Sequence, residues 1–268
     1  MYAEELQWIH KLQEWMRSPW MDQFFICWNY VDSHAFVFVL IATIWYLVSR
    51  RVGIKMAYIL ILSAVVSKVL KGFFDLPRPC QLDPSVGVLC FSTPGFPSGA
   101  AQTAVLYAGI AFIECKNQLF RWSALIFALM LCFSRVYLGV HFFTDILGGL
   151  AVGAGLLLIY WKLFPLAEKK WKVAIFAFPL LLLAIGQLGA LYLACHSLGI
   201  GCGLLLGEKQ QKILWIGLAQ LIVVFLGVWF GEMGTTLYPS LKFLLGFATG
   251  FWISYLGAVL VRKSTKNF

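Results

Sequence analysis

The sequence predicts an all-α fold, a polytopic bundle of transmembrane helices, and three observations support this class. Of the 268 residues, 61% are hydrophobic and only 12% are charged, whereas a soluble domain has about 25% charged residues. Apolar segments that approach the roughly 20 residues needed to cross a bilayer recur along the chain. The basic residues gather in short loops between these segments, which is the arrangement that sets the topology of membrane proteins.

The first element that we expect is an interfacial amphipathic helix over residues 3–17. Its apolar residues recur at helical spacing, with two tryptophans beside them: Leu6, Ile9, Leu12 and Met16, with Trp8 and Trp15. Tryptophan rings favour the headgroup depth of a bilayer, and amphipathic helices with such rings lie in that interface. The segment therefore predicts a helix at the membrane surface.

A core of six spans is expected within residues 1–195, followed by a transmembrane extension over 196–268. The six spans are 33–49, 54–74, 98–114, 121–139, 142–162 and 172–194. Residues 213–231 and 240–261 predict two further spans, and splitting the apolar run that ends near 207 would add a third. Nine spans place the last basic residues in the cytoplasm, in agreement with the positive-inside rule, and eight place them outside.

Three basic loops alternate with the spans and fall on one side of the membrane, which the positive-inside rule makes cytoplasmic. They contain Arg50, Arg51 and Lys55, then Lys116 and Arg121, then Lys162, Lys169, Lys170 and Lys172. The net charge of +9 therefore reflects topology, and we expect no nucleic-acid partner. The protein is expected in a plasma or inner membrane, with the opposite helix ends facing the periplasm, the exterior or a lumen.

Six polar residues lie at the helix ends on that opposite face. They are Lys71, Arg78, Ser98, Arg135, His141 and Asp145. A phosphate ester carries close to two negative charges at neutral pH, and fixed cations facing its oxygens favour attack on phosphorus. Lys71, Arg78 and Arg135 would supply these cations, the two arginines through forked donation.

The remaining polar residues of this set suit the same chemistry. Pro97-Ser98-Gly99 predicts the start of a helix, where free N–H groups attract an anion, Gly99 lets a ligand come close and Ser98 adds a hydroxyl. His141 and Asp145 are four residues apart, which places them on one face of a helix. A carboxylate that accepts a hydrogen bond from one imidazole nitrogen leaves the other free to attack phosphorus.

Three motifs resemble those of the type 2 phosphatidic acid phosphatase (PAP2) superfamily. They are Lys71-x6-Arg78-Pro79, Pro97-Ser98-Gly99, and Ser134-Arg135-x5-His141-x3-Asp145. The motifs cover residues 71–145, and the order of helices extends the likeness to 33–194. That family includes lipid phosphate phosphatases, undecaprenyl diphosphate phosphatases and glucose-6-phosphatase, and the further spans are similar to its longer, glucose-6-phosphatase-like bacterial branch.

The resemblance implies a membrane-integral phosphohydrolase, without metal or other cofactor, that acts on a lipid phosphate or polyprenyl diphosphate or transfers its phosphoryl group. It implies that His141 is the nucleophile, that a phosphohistidine forms there and that Asp145 orients the ring. The phosphate would be held by Lys71, Arg78, Ser98, Gly99 and Arg135. The oligomeric state is left open.

The chain departs from the family pattern at Ala100, where the family has the histidine that protonates the leaving oxygen. Loss of a positioned acid typically costs about 10²–10⁴-fold in rate. Three explanations stay open: an engineered histidine-to-alanine change, a diphosphate substrate whose leaving phosphate (second pKa about 6) needs little protonation, or a site without turnover. Gln102 could hydrogen-bond a bridging oxygen but is not an acid.

Cys80 and Cys90 flank one polar loop, and they would form a disulfide if that loop faces an oxidising compartment. This pairing is left open by the sequence.

A rival function from another class is a catalytically silent binder or transporter of lipid phosphate on the same scaffold. Transport favours charged residues at mid-bilayer depth, whereas the charges of this chain gather at helix ends. Gln187 and Gln220 are the polar interruptions within the apolar segments.

Overall fold

The computed structural model describes residues 2–162 and 239–256, with short stretches and single positions between 164 and 259. These residues contain no strand, in agreement with the predicted all-α class. The helices are α1 (Tyr2–Met16), α2 (Pro19–Val31), α3 (His34–Thr43), α4 (Arg50–Phe74), α5 (Pro79–Leu82), α6 (Gly99–Glu114), α7 (Gln118–Tyr137) and α8 (Phe143–Lys162), with a later helix over Lys242–Phe251. Single turns of π or 3₁₀ type cover Ile44–Val48, Pro84–Val86, Pro239–Leu241 and Trp252–Leu256.

The protein is an integral membrane protein, and its apolar helices coincide with predicted spans. Among the described residues, three segments are long and apolar enough to cross a bilayer: Arg50–Leu82, Gln118–Tyr137 and Phe143–Lys162. Pro19–Val31 and Phe36–Val48, taken together, would be long and apolar enough for a fourth. The predicted spans at 54–74, 121–139 and 142–162 are thereby confirmed.

The other predicted spans have mixed outcomes. The span at 98–114 is helix α6, which has 16 residues. The span at 33–49 is α3 with its π-helical continuation. The predicted spans 172–194 and 213–231 lie outside the described residues, apart from a few positions in the second, and 240–261 is described only as far as the short helix Phe243–Leu256.

The chain forms two compact units, Met1–Ser33 with Leu62–Lys162, and His34–Ile61 with Leu163–Phe268. The domain boundary expected at 195 stays a prediction. The first unit contains all six polar residues singled out above. In the second unit the Tyr46 hydroxyl donates to the carbonyl of Ile253, and the Trp252 indole donates to the carbonyl of Val223 at 3.1 Å.

Helices α6 and α8 pack closely because α8 presents glycine at the contact. A Cβ at Gly149 would lie 2.4 Å from the carbonyl oxygen of Ser98, and one at Gly153 would lie 3.0 Å from that of Gln102. Small residues allow helix backbones in membranes to approach. As a result the N-terminus of α6 meets the first turn of α8, where the backbone N–H of Ser98 donates to the carbonyl of Asp145 at 3.0 Å.

Helix α1 confirms the predicted helix near residues 3–17 and shows what its inner side contacts. The buried Gln13 amide donates to the carbonyls of Val86 (2.8 Å) and Tyr137 (2.7 Å). This side therefore packs on the protein. Trp8 and Trp15 are 63% and 83% exposed, and their headgroup depth stays a prediction.

Helix α2 lies between the predicted segments 3–17 and 33–49 and is an element that the sequence analysis did not predict. The Ser18 hydroxyl accepts from the N–H of Met21 at 3.3 Å, and Pro19 occupies the first turn. Serine followed by proline is a recognised helix start. Because the Tyr137 hydroxyl donates to Asp22 at 2.7 Å, α2 is attached to the end of α7.

A tight turn after α7 returns the chain toward α8, and Gly139 allows it. Gly139 has φ +68°, and a Cβ there would lie 2.1 Å from the carbonyl oxygen of Val86. Its carbonyl accepts from the N–H of Cys80 at 3.1 Å, and Cys80 forms a disulfide with Cys90. The disulfide that the sequence allowed is thus present, and the loop between α4 and α6 is fastened to this turn.

Substituting Gly139→Ala is expected to destabilise the protein by about 1–3 kcal/mol, because it forces a side chain into a left-handed backbone and against the Val86 carbonyl. The midpoint of thermal unfolding in detergent measures this. Gly155→Ala is the matched control, since a Cβ there meets nothing within 4 Å, and alanine in a helix is favoured over glycine by about 0.5–1 kcal/mol. Equal midpoints for the two variants would contradict the expectation.

Candidate active site

The ends of α2, α4, α6 and α7 surround one cavity of about 320 Å³ in the first unit. Six of the eight residues predicted for the site line it: Lys71, Arg78, Gly99, Ala100, Arg135 and His141. Ser98 and Asp145 lie behind this lining, with exposed fractions of 0% and 2%. The structure therefore brings the three motifs together at one place.

His141 and Asp145 form a hydrogen-bonded pair. Nδ1 of His141 lies 3.2 Å from Oδ2 of Asp145. A carboxylate only accepts, so the ring proton is assigned to Nδ1 and the lone pair to Nε2. Nε2 lies 3.3 Å from a guanidinium nitrogen of Arg78, which places the free nitrogen at the cationic side of the cavity.

The backbone geometry that brings His141 and Asp145 together differs from the predicted one. His141 precedes α8, which begins at Phe143, so the two residues do not lie on one helix. Asp145 is in the first turn of α8 and also accepts from the N–H of Phe142 at 3.0 Å. The carboxylate thus reaches back over the helix start, where free N–H groups are available, and meets the imidazole there.

The environment of His141 favours the neutral form of its ring. The side chain is buried, with 5% of its surface exposed. Burial first, and then the charges of Arg78, Lys71 and Arg135, hold the pKa of His141 well below its ordinary value. A neutral imidazole retains the lone pair that a nucleophile needs.

Arg78 is held by several acceptors and is only 4% exposed. Its guanidinium donates to the Thr93 carbonyl (2.6 Å), the Thr93 hydroxyl (2.9 Å) and the Val140 carbonyl (2.8 Å), besides its contact with His141. The ring of Phe91 lies 5.3 Å from the guanidinium carbon. This planar group is therefore fixed before any ligand arrives.

Lys71, in the last turn of α4, is tied to the loop that precedes α6. Its Nζ donates to the carbonyls of Pro94 (2.7 Å) and Gly95 (2.9 Å). A Cβ at Gly95 would lie 2.9 Å from Oδ2 of Asp145, so glycine is needed for this loop to pass the carboxylate. Lys71 thereby lies near both the histidine and its partner.

The start of α6 is the predicted one, but Ser98 has a structural contact there. It is the N-cap of α6, and its hydroxyl accepts from the N–H of Ala101 at 3.4 Å. Gly99 and Ala100 line the cavity in its place. The phosphate contact expected of the Ser98 hydroxyl stays a prediction.

Sequence reasoning missed the contribution of α2 to the site. Arg135 donates to the Asn29 side chain (2.8 Å) and to the Trp28 carbonyl (3.2 Å), and Asp32 lies 4.0 Å from it. Nε of Arg135 is buried and has no hydrogen-bond partner among the described residues. An asparagine and an aspartate at the end of an apolar segment are the signal that was available.

These features define an integral membrane protein in which a buried histidine and three cationic side chains line one cavity at the helix ends. A family model described as the PAP2 superfamily matches residues 52–169. Phosphatidylglycerophosphatase B of Bacillus subtilis (strain 168) is 31% identical over 174 residues, which are 60% of this chain and 82% of that protein. The chain belongs to the PAP2 superfamily.

Two further similarities agree with this membership. The dihydrosphingosine 1-phosphate phosphatase YSR3 of Saccharomyces cerevisiae is 31% identical over 199 residues, 66% of this chain and 47% of that protein. The chain therefore spans about half the length of the yeast relative. The crystal structure of Aquifex aeolicus LpxE has the same fold over 60% of this chain and 94% of that one, with a TM-score of 0.53 and 24% identity.

Proposed function

We propose that the protein is a PAP2-type phosphatase that hydrolyses a lipid phosphate or polyprenyl diphosphate, or transfers its phosphoryl group, through a phosphohistidine at His141. The observation that carries the proposal is the position of Nε2, 3.3 Å from Arg78, while Asp145 holds Nδ1. In this reaction Nε2 attacks phosphorus and the bond to the leaving oxygen breaks. Water then attacks phosphorus, and the nitrogen–phosphorus bond breaks.

The three cations support this chemistry through charge. Lys71, Arg78 and Arg135 surround the cavity, where they would face the phosphate oxygens as negative charge develops on them. Among the described residues, no group of three or more His, Cys, Asp or Glu side chains could hold a metal ion. We propose that these fixed side chains do the work that a divalent cation does elsewhere.

A lipid substrate is supported by the relatives and by the place of the site. The Bacillus subtilis and yeast relatives are named for phosphatidylglycerophosphate and dihydrosphingosine 1-phosphate, which are both lipid phosphates. The cavity lies at helix ends, where a headgroup meets water while its tail stays in the hydrocarbon layer. We propose the same substrate class here.

The function is tested by phosphate release from a lipid monophosphate and a polyprenyl diphosphate by the purified protein in detergent, with and without EDTA. We expect EDTA-resistant release, faster from the diphosphate, and a larger gain on the monophosphate when Ala100→His restores the family's acid. If neither form releases phosphate while both still bind a phosphate analogue, the protein is the silent binder of the rival hypothesis.

The site is proposed to face the periplasm, the exterior or a lumen, and the Cys80–Cys90 disulfide supports this because disulfides persist in oxidising compartments. A membrane-impermeant thiol reagent should label Ser85→Cys in intact cells and Lys116→Cys only after permeabilisation. Both positions are exposed, and the unsubstituted protein corrects for its own free cysteines. The reverse pattern would contradict the orientation.

A further inference from the structure

The cavity contains a carboxylic acid that has no place in the mechanism above. Asp32 caps the C-terminus of α2 and is the only Asp or Glu among the twelve residues that line the cavity. Helix α6 offers no acid at this point: Ala100 presents a methyl group, and the amide of Gln102 is fully buried and accepts from the Ser63 hydroxyl at 3.2 Å. The leaving oxygen would need a proton from elsewhere.

Asp32 lies near the cations of the cavity but makes no hydrogen bond to Arg135. Its Oδ2 lies 4.0 Å from Arg135, which exceeds hydrogen-bond distance. Asn29 takes the close contact with that guanidinium at 2.8 Å. The Asp32 side chain is 30% exposed, against 3% for Arg135, so the carboxyl lies at the cavity surface, within reach of a ligand.

Substrate binding would favour the protonated carboxyl. The titratable groups that interact electrostatically with Asp32 come from three helices: Arg135 and Cys132 on α7, Lys71 on α4 and Tyr107 on α6. In the empty cavity burial raises the pKa of Asp32, and the charges of Arg135 and Lys71 partly oppose this rise. A bound phosphate neutralises those cations and adds a like charge beside a largely enclosed carboxylate, and both effects favour proton uptake.

We propose that Asp32 is the general acid that replaces the missing histidine at position 100. This assignment rests on the proposed phosphatase function. As Nε2 of His141 bonds to phosphorus, the electron pair of the breaking bond goes to the leaving oxygen, which takes the proton of Asp32. In the second step the Asp32 carboxylate takes a proton from the attacking water, the nitrogen–phosphorus bond breaks with its electrons returning to Nε2, and inorganic phosphate leaves.

The experiment compares leaving groups in Asp32→Asn and in the unsubstituted protein. A long-chain alkyl monophosphate has a poor leaving group that needs a proton, whereas p-nitrophenyl phosphate has a good one. For Asp32→Asn we expect a loss of about 10²-fold or more on the alkyl ester and less than about tenfold on the nitrophenyl ester. Asp32→Glu should keep most of the alkyl activity, and Ala100→His should restore it in the Asp32→Asn background.

Asp75→Asn is the matched control, since Asp75 is exposed and its φ of 47° suits asparagine as well. Vanadate binding and the unfolding midpoint show whether Asp32→Asn remains folded. An equal loss on both esters, without rescue by Ala100→His, would reduce Asp32 to a positioning residue for Arg135 and overturn the assignment alone. No turnover of either ester by the unsubstituted protein would overturn the proposed function and the assignment with it.

Discussion

Replacing His141 by glutamine is expected to lower phosphate release by about 10³-fold or more, because the attacking nitrogen is lost. Glutamine is chosen because it fills much of the space of a side chain that is only 5% exposed, so the fold should survive. The loss should fall on kcat, since Arg78, Lys71 and Arg135 remain to bind phosphate. Initial rates of phosphate release over a range of substrate concentrations measure it.

Two further variants make this test specific. His10→Gln is the matched control, because His10 lies on α1 at the protein surface, 2.8 Å from Asp83 and 41% exposed, and it should leave the rate within about twofold. Asp145→Asn should also lower the rate, and the double variant with His141→Gln should be little worse than His141→Gln alone, since residues that act as one unit are not additive. Additive losses would show that the two side chains act independently.

The helices around the site were predictable because a helix that crosses the bilayer needs a long run of apolar residues, which is visible within one segment of the sequence. A chain that crosses hydrocarbon must satisfy its backbone hydrogen bonds within each segment, so hydropathy alone located α4, α7 and α8 to within a few residues. Charge in the connecting loops then placed the helix ends that carry Lys71, Arg78, Arg135 and His141 on one face. The structure agrees with that prediction, because these four side chains line one cavity.

The contribution of α2 was not predictable in the same way. The predicted span 33–49 begins directly after Asp32, but no element was predicted over α2 itself, whose sequence is rich in aromatic residues. The contacts of Asn29 and Asp32 with Arg135 span more than a hundred residues, and no short-range pattern encodes such a distance. The N-cap signal Ser18-Pro19 marks the start of α2 and separates it from α1.

The sequence predicted that His141 and Asp145 pair on one helix, but the structure brings them together across the start of α8. A spacing of four favours contact on a helix, yet it also suits a first-turn carboxylate that reaches back over the helix start. The turn at Gly139 decides between these two geometries, since it ends α7 and delays the start of α8 to Phe143. Because both geometries bring the same side chains together, sequence spacing alone does not distinguish them.

Arg78→Lys is expected to lower kcat/KM by about 10²–10³-fold although it keeps the charge. The guanidinium donates to the Thr93 carbonyl and hydroxyl and to the Val140 carbonyl, and it also contacts Nε2 of His141. A lysine ammonium is a point charge without this forked geometry, so it would leave buried carbonyls unpaired. It would also change the alignment of the donors that stabilise charge on the transferred phosphoryl group.

Arg121→Lys is the matched control for this change. Arg121 lies in the first turns of α7, at the opposite end of that helix from the site, and donates to the Cys115 carbonyl at 2.7 Å. We expect it to keep the rate within about twofold, because the loss of one partly exposed hydrogen bond affects stability by only about 1 kcal/mol. If Arg78→Lys retained kcat/KM within about threefold, positive charge alone would suffice at this position, and the forked geometry would have no part in the reaction.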